Sequence, residues 1–337
     1  MNLSDITKIN FGAANISAVY NGGIKLWPTG TVADNKVMKF TIVSGDTWDT
    51  TYISAYTADD RLIEPVKKDT TGWTYDENVG YIVSEKRPYS WPDRGTNLLA
   101  FEGFPAAVKI KTGEGLFEKS TKCTGIATTN IDTSECTSMK YMFSYCGGLT
   151  SLNVSNFNTS QVTDMYWRFN GCSSLTSLDL SNFNTSQVTN MNNMFSGCSG
   201  LTSLDVSNFN TSQVTYMGGM FSDCGGLTSL DVSNFNTSQV TDMSYMFSGC
   251  KGLTTLDLSN FNTSQVTDMG GMFDSCNSLT SLDLSGWDML SDTDTYDMFY
   301  DCSALKTVKM TNCSKDTKDK IRAALDEAGL TNTVITE

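Results

Sequence analysis

Residues 227–252 read LTSLDVSNFNTSQVTDMSYMFSGCKG, and this 26-residue stretch decides the fold. Its first half follows the pattern L-x-x-L-x-V-x-x-F, which is typical of the strand segment of a leucine-rich repeat. Residues 236–238, Asn-Thr-Ser, are candidate helix N-caps. The second half then carries an apolar stripe at steps of three and four residues, which predicts a short helix: Val240, Met243, Met246, Phe247 and Cys250.

The unit occurs seven times between residues 123 and 304. Its period is set by seven cysteines spaced 26 residues apart: Cys146, Cys172, Cys198, Cys224, Cys250, Cys276 and Cys302. One unit cannot bury its apolar face alone, so successive strands must stack in parallel with the helices on the outer side. The sequence therefore predicts an α/β fold, a leucine-rich-repeat solenoid with a parallel sheet and short convex helices, preceded by a small β-rich region.

Composition shifts divide the chain into five predicted segments. These are a β attachment segment (1–30), a small β-rich domain (31–96), an N-terminal cap (97–122), the seven repeats (123–304) and a C-terminal cap (305–337). The β-rich domain has strand candidates at 37–43, 50–56 and 81–83. The C-terminal cap has a last strand and then an amphipathic helix over 318–328, which Gly329 ends.

The repeat closely resembles the BspA-type leucine-rich repeats, the 26-residue LTSLDLSNFNTSxVTxMxxMFxGC units of surface proteins in gut bacteria and mycoplasmas. The strand leucines, the Phe, the Val-x-x-Met, the Met-Phe and the Cys all match in register. The resemblance implies the solenoid fold and, for function, an adhesin or another surface protein.

The first thirty residues carry a second resemblance. The segment from Ile6 to Pro28 is similar to the I-x-x-I-x-x-G…V-Y-x-G-x-x-x-L-W-P module at the start of virion proteins of phages that infect gut Bacteroides-like bacteria. The resemblance implies attachment to other virion proteins through Ile6, Phe11, Ile16, Tyr20, Leu26 and Trp27. The alternative is an ordinary small β-meander that packs on the next domain.

Charge and composition exclude several functions. The net charge of −14 and the pI near 4.4 argue against nucleic acid and anionic membranes as partners, because there is no basic surface to neutralise phosphates. The chain has no histidine, which removes histidine triads and the commonest metal ligand, so we expect no enzyme activity, cofactor or metal. There is no apolar run long enough to cross a bilayer, and residues 1–30 lack the pattern of a secretory leader.

Two surfaces are candidate binding sites. On the predicted concave face, the Asp ladder would contact a basic surface, a cation or a glycan, or would be only a solvated polar face: Asp179, Asp205, Asp231, Asp257 and Asp283. On the opposite face, the convex aromatics would contact a partner, the chain's own N-terminal domain or a second subunit: Tyr141, Tyr145, Tyr166, Trp167 and Tyr245.

The cysteine column predicts buried, reduced thiols, because a stack of parallel side chains cannot form disulfides and a 26-residue period does not fit a metal site. Such thiols would be a hazard in an oxidising compartment. The acidic segment 288–301 departs from the calcium-loop pattern and predicts surface carboxylates only.

These observations lead to the hypothesis of a phage virion protein, a head or tail fibre or decoration protein assembled in the host cytoplasm. It would be anchored by its N-terminus, it would present the solenoid to a host-surface protein or glycan, and it could form a homo-oligomer. The alternative is a bacterial cell-surface leucine-rich-repeat adhesin.

Overall fold

The computed structural model describes residues 112–129 and 131–337 continuously and, upstream of them, ten short strands. Those strands are β1 (Lys8–Ile9), β2 (Tyr20–Asn21), β3 (Ile24–Lys25), β4 (Phe40–Ile42), β5 (Ala55–Tyr56), β6 (Leu62–Ile63), β7 (Trp73–Asp76), β8 (Tyr81–Ser84), β9 (Leu98–Phe101) and β10 (Val108–Ile110). One of the six proposed attachment residues, Tyr20, falls within a described strand, β2, which pairs with β3. The other five lie outside the described residues: Ile6, Phe11, Ile16, Leu26 and Trp27.

The core of the solenoid is a set of apolar columns in which one residue of each repeat lies on its equivalent in the next. Eight phenylalanines, from Phe117 to Phe299, stack with ring centroids 5.5–6.0 Å apart and ring planes 2–11° from parallel. The columns of Leu, Val, Met and Cys beside them are also buried. This stacking confirms the leucine-rich-repeat solenoid and the α/β class.

The strand segments form a regular parallel sheet at the C-terminal end. Strands β13 (Thr255–Asp257), β14 (Ser281–Asp283), β15 (Thr307–Lys309) and β16 (Val334–Thr336) pair in that order. Their central residues are in register as Leu256, Leu282, Val308 and Ile335. In the second half of the units, a column of single parallel bridges also joins successive repeats and runs through Ser138, Asp164, Asn190, Tyr216, Asp242, Asp268 and Asp294.

The predicted convex helices are wrong: in the described repeats, the second half of each unit is a series of tight turns. Alternate backbone N–H groups donate to the following repeat; Tyr141 donates to the Tyr166 oxygen at 2.9 Å, and Phe143 to the Arg168 oxygen at 2.9 Å. The N–H groups between them close short turns, as Ser144 does on Tyr141 at 3.0 Å. We refer to this second half as the turn segment.

The apolar spacing of three and four residues therefore arises from tight turns and not from a helix. A chain of tight turns also directs every third or fourth side chain inward, so Met, Phe and Cys are buried without α-helical hydrogen bonds. Two residues of each turn segment have left-handed backbone, for example Tyr141 and Tyr145, both with φ of 58°. Such a conformation interrupts an α-helix.

Side chains join the repeats as well. The buried Thr185 hydroxyl donates to the Asn210 carbonyl at 3.0 Å and accepts the Asn210 N–H at 2.8 Å. The Asn208 amide donates to the carbonyls of Leu180 and Phe183, both at 2.9 Å. The equivalent Asn and Thr of neighbouring repeats make the same bonds, so the predicted N-caps at 236–238 in fact stitch one repeat to the next.

A helix and a strand cap the C-terminal end. Helix α1 (Lys315–Glu327) begins three residues earlier than predicted, because the Ser314 hydroxyl caps the Thr317 N–H. Its buried face includes Ile321, Ala324 and Leu325, as expected, and Gly329 follows with φ of 73°. Strand β16 was not predicted; it pairs with β15 and covers the edge of the sheet.

At the N-terminal end, β10 pairs in parallel with β12 (Ile131–Asp132), and β9 pairs with β11 (Gly125–Ile126). Strand β8 pairs with β10 as well, so hydrogen bonds cross the predicted boundary between the β-rich domain and the cap. Within the part of the chain that the structure describes, no helix is both long and apolar enough to cross a membrane.

Candidate binding surfaces

The Asp ladder lies on the surface of the strand segments. Four of its carboxylates are exposed, and Asp283 is half-buried. Each carboxylate accepts the backbone N–H of the serine two residues later, at 2.9 Å in all five repeats. Each aspartate therefore closes a turn at the end of its strand segment, which gives the ladder a structural role.

Electrostatics at the Asp ladder follow from these bonds. Hydrogen bonds from the backbone and hydroxyl of the neighbouring serine lower the pKa of Asp179, Asp205 and Asp231. At the end of the ladder, Lys309 donates to Asp283 at 2.8 Å. All five carboxylates are thus bonded to their own neighbours, and their predicted role in binding a partner stays a prediction.

Four of the five convex aromatics form one contiguous group, which we call the aromatic cluster: Tyr141, Tyr145, Tyr166 and Trp167. Ring centroids are 5.2 Å apart for Tyr141 and Tyr166, 5.7 Å for Tyr166 and Trp167, and 5.9 Å for Tyr145 and Trp167. Tyr145 is 42% exposed and the other three are half-buried. Tyr245 is separate from this group and packs over Gly271.

Backbone strain coincides with the aromatic cluster. Tyr141, Tyr145 and Trp167 have φ of 58°, 58° and 56°. Glycine occupies the positions equivalent to Tyr141 and Trp167 at Gly219 and Gly271. A left-handed non-glycine residue costs about 1–2 kcal/mol, so these aromatic side chains reduce stability where glycine would not.

The turn segments also hold most of the exposed apolar side chains. Among the described residues, the exposed large hydrophobic side chains are Tyr145, Tyr216, Tyr245, Tyr296, Tyr300 and Val334. All five tyrosines belong to turn segments, whereas Val334 is in the closing strand β16. The turn side is therefore the aromatic side of the solenoid.

One unusual residue, Arg168, has no counterpart in our sequence predictions. It occupies a buried column in which the other repeats have Met, and it is fully buried. None of its guanidinium nitrogens has a hydrogen-bond partner. The guanidinium lies instead among three rings, with centroids at 4.5 Å (Phe183), 5.1 Å (Phe169) and 5.5 Å (Phe157).

The environment of Arg168 includes a second departure from the repeat, Cys136, which stands in a column of valines. Burial lowers the pKa of Arg168, while the charge of Cys136 raises it. Burial raises the pKa of Cys136 to about 11, and Arg168 opposes that shift. The break in the M-x-x-M-F pattern at Met165-Tyr-Trp-Arg168-Phe169 is the sequence signal that identifies this environment.

All ten cysteines are free and buried, which confirms the predicted reduced thiols. Each of the seven thiols spaced 26 residues apart donates to the carbonyl of a phenylalanine 29 residues earlier, as Cys224 does to Phe195 at 3.1 Å. Burial raises the pKa of Cys224 well above its usual value. Because a buried neutral thiol is unreactive, the column is no hazard in an oxidising compartment and does not discriminate between locations.

The acidic segment 288–301 exposes Asp288, Asp292, Asp294 and Asp301. Asp294 accepts the Tyr296 N–H at 2.8 Å, and Asp301 accepts from Asn277 at 2.7 Å. Across residues 112–129 and 131–337, no three acidic or cysteine side chains converge closely enough to hold a metal ion. These carboxylates bond to their own neighbours.

Stacked 26-residue units with an inward Leu, Phe, Met and Cys in each define a leucine-rich-repeat solenoid protein, a fold used for protein binding and adhesion. The chain belongs to the family described as "Mycoplasma protein of unknown function, DUF285", whose model matches residues 111–229 and 227–333. No curated protein matches it.

Three solved structures are similar to the chain. A leucine-rich repeat protein from Bacteroides ovatus is 17% identical, with 72% of this chain and 70% of that chain covered and a TM-score of 0.38. A leucine rich cell surface protein from Faecalibacterium prausnitzii is 14% identical, with 81% and 96% covered and a TM-score of 0.24. The functional domain of InlJ from Listeria monocytogenes, which includes a cysteine ladder, is 18% identical, with 73% and 54% covered and a TM-score of 0.22.

Proposed function

We propose that this chain is a non-enzymatic binding protein whose solenoid presents the aromatic cluster to a partner. The observation that carries the proposal is the coincidence of exposure, mutual contact and strain at Tyr141, Tyr145 and Trp167. Strained backbone persists where a function retains it. Glycine occupies the positions equivalent to Tyr141 and Trp167 in other repeats, so the fold does not require aromatic rings there. We therefore attribute the rings to partner binding.

Two properties support a non-enzymatic role. The sequence has no histidine to act as a general base near neutral pH. The thiols are poor nucleophiles, because they are buried and their hydrogen atoms are donated to backbone carbonyls.

For the biological setting, we propose a structural virion protein of a phage, a head or tail fibre or decoration protein. Residues 1–30 would attach it to other virion proteins, and the solenoid would carry the aromatic cluster to a host-surface protein or glycan. The resemblance of residues 1–30 to the phage module supports this setting. The second candidate is a bacterial cell-surface adhesin, which the resemblance of the repeats to BspA-type surface proteins supports.

Binding of the purified full chain to whole cells tests the function. The test variant is Tyr141→Gly/Trp167→Gly, because Gly219 and Gly271 show that glycine fits the equivalent positions. The matched control is Tyr245→Gly, which removes an aromatic ring from the same column outside the aromatic cluster. On a panel of Bacteroides strains, we expect the test variant to lose at least about tenfold in affinity, as truncated interface aromatics do, and the control to bind like wild type.

Equal binding by wild type and the test variant would contradict the proposal. The setting is tested separately, by mass spectrometry of purified phage particles and of bacterial envelope fractions. Peptides of the chain in particles support the virion protein, and peptides in the envelope support the adhesin. Their absence from both fractions would refute both settings.

A further inference from the structure

We infer that the aromatic cluster binds a neutral carbohydrate. This inference rests on the proposed binding function and specifies the chemistry of the ligand. Four properties carry it: the area of the surface, its charge, the relative orientations of its rings and the unsatisfied polar atoms in the interior of the same repeats.

The exposed area suits a small ligand. An aromatic side chain presents about 150–250 Å² in total. With Tyr145 42% exposed and its three neighbours half-buried, the aromatic cluster offers at most about 350 Å². A standard protein interface needs about 800 Å² from each partner. The cluster therefore matches a few sugar rings, whose C–H faces stack on Tyr and Trp, better than it matches a folded protein.

The charges beside the aromatic cluster nearly cancel, since one lysine lies between two carboxylates. Lys140 lies 3.8 Å from Glu114 and 3.6 Å from Asp164, and Asp164 also accepts the Tyr166 N–H at 3.0 Å. One cation between two carboxylates attracts neither a strongly basic nor a strongly acidic ligand. The same side chains are suitable hydrogen-bond partners for sugar hydroxyls.

The relative orientations of the rings also favour sugars. The Tyr141 and Tyr166 rings are perpendicular, at 90°, and Tyr166 and Trp167 are tilted by 40°. The rings thus form a stepped surface, on which successive sugar rings of an oligosaccharide can each meet one aromatic face. A nucleobase ligand would bring phosphates to a chain of net charge −14, which disfavours it.

The repeats that carry the aromatic cluster also have the least satisfied interior. In the described residues, eight of eleven buried side-chain polar atoms without a hydrogen-bond partner belong to residues 138–192. They belong to Ser138, Ser144, Trp167, Arg168, Asn170 and Asn192. Natural cores seldom keep such atoms, and those that persist need an explanation other than stability. This concentration of unsatisfied atoms beneath the aromatic cluster is what selection for a ligand would leave.

Affinity gel electrophoresis of the full chain tests the inference. The probes are neutral polysaccharides (mannan, dextran, xylan), with heparin and polylysine as charged probes. We expect at least one neutral polysaccharide to retard the wild type and the Tyr245→Gly control. Tyr141→Gly/Trp167→Gly should lose at least about tenfold of that affinity, whereas Trp167→Tyr, which keeps an aromatic face, should retain most of it.

Treatment of the cells separates the inference from the proposed function. Periodate, which cleaves sugar diols, should abolish cluster-dependent cell binding, while protease treatment should leave it. Protease-sensitive, periodate-resistant binding would overturn the carbohydrate inference and keep the binding function. Binding to heparin or polylysine that depends on the aromatic cluster, without binding to any neutral polysaccharide, would also overturn it. Cell binding that does not depend on the cluster would refute the proposed function itself.

Discussion

Tyr145 lies directly over Gly171 of the next repeat: a methyl group on Gly171 would stand 3.0 Å from Cδ1 of the Tyr145 ring. The same relation joins Tyr245 to Gly271, where the ring leaves no space for a Cβ. In both pairs the covered glycine has a positive φ, of 70° at Gly171 and 60° at Gly271. In each of these two pairs, the ring of one repeat therefore packs against a glycine of the following repeat.

Gly171→Ala is expected to destabilise the solenoid by about 1–3 kcal/mol, because alanine at positive φ is strained and its methyl group displaces Tyr145. Urea unfolding measures the loss. Gly225→Ala is the matched control: φ is not positive there, and the nearest atom is 3.6 Å from the added Cβ, so its effect should stay within about 0.5 kcal/mol. Equal effects at the two glycines would refute the packing relation.

Thr185→Val is expected to cost about 1–3 kcal/mol. Valine keeps the volume but removes both the bond to the Asn210 carbonyl and the acceptor of the Asn210 N–H, so two part-buried backbone groups lose their partner. Thr189→Val provides the comparison, because the Thr189 hydroxyl makes only an exposed bond to Thr163 at 3.3 Å. If chemical denaturation shows the same stability for both variants, the buried threonines do not stitch the repeats together.

Arg168→Met is expected to stabilise the protein by about 1–4 kcal/mol. The substitution restores the residue of the other repeats and removes a buried cation that has three aromatic contacts but no hydrogen bond. Met194→Leu, a conservative change in the same column, should stay within about 1.5 kcal/mol of wild type. A less stable Arg168→Met variant would show that the cation has a partner or that the rings compensate for its burial.

Alkaline pH is expected to destabilise the chain. Burial raises the pKa of the thiols in the fold, to about 11 for Cys136 and about 12 for Cys302, above the value of about 9 for an unfolded cysteine. The unfolded chain then binds fewer protons above pH 9, so the free energy of unfolding is constant below that pH and falls above it. Each thiol contributes about 1.4 kcal/mol per pH unit until its folded pKa is reached.

Urea unfolding between pH 7 and 11 measures this slope, and Cys224→Ser should flatten it by the contribution of one thiol. A thiol reagent gives an independent check at pH 8. It should label none of the ten cysteines in the folded chain and all ten in denaturant. A slope that does not change in Cys224→Ser would contradict the thiol origin of the alkaline instability.

Much of the core could be predicted from the sequence, because its columns depend only on a regular 26-residue spacing. The turn segments could not be distinguished from helices, since both place every third or fourth side chain inward. What decides between them is hydrogen bonding to the next repeat, such as the Tyr141 bond to Tyr166, and that partner lies outside any local window.

The candidate surfaces, like the core, could be predicted from the sequence only in part. The positions of Asp231 and Tyr145 on the surface followed from strand and repeat register. That Asp231 accepts the Ser233 N–H, and that Tyr145 has a left-handed backbone, depended on turn geometry that residue spacing does not specify. Arg168 could be recognised from the sequence, because it alone replaces Met at its position in the repeat. Its ring contacts could not be, because they come from two different positions of the repeat and from neighbouring units.

The fixed offset of the bonds between repeats has an evolutionary consequence. The Thr185 bond spans 25 residues and the Cys224 bond spans 29, and the same offsets recur in the neighbouring units. Recombination between near-identical repeats that gains or loses 26 residues thus returns every donor to an equivalent acceptor. The gene can lengthen or shorten the repeat array without altering either cap, while an insertion that is not a multiple of 26 residues breaks the bonds of the unit that contains it. The length of the array can therefore change in steps of one repeat while the contacts of both ends stay the same.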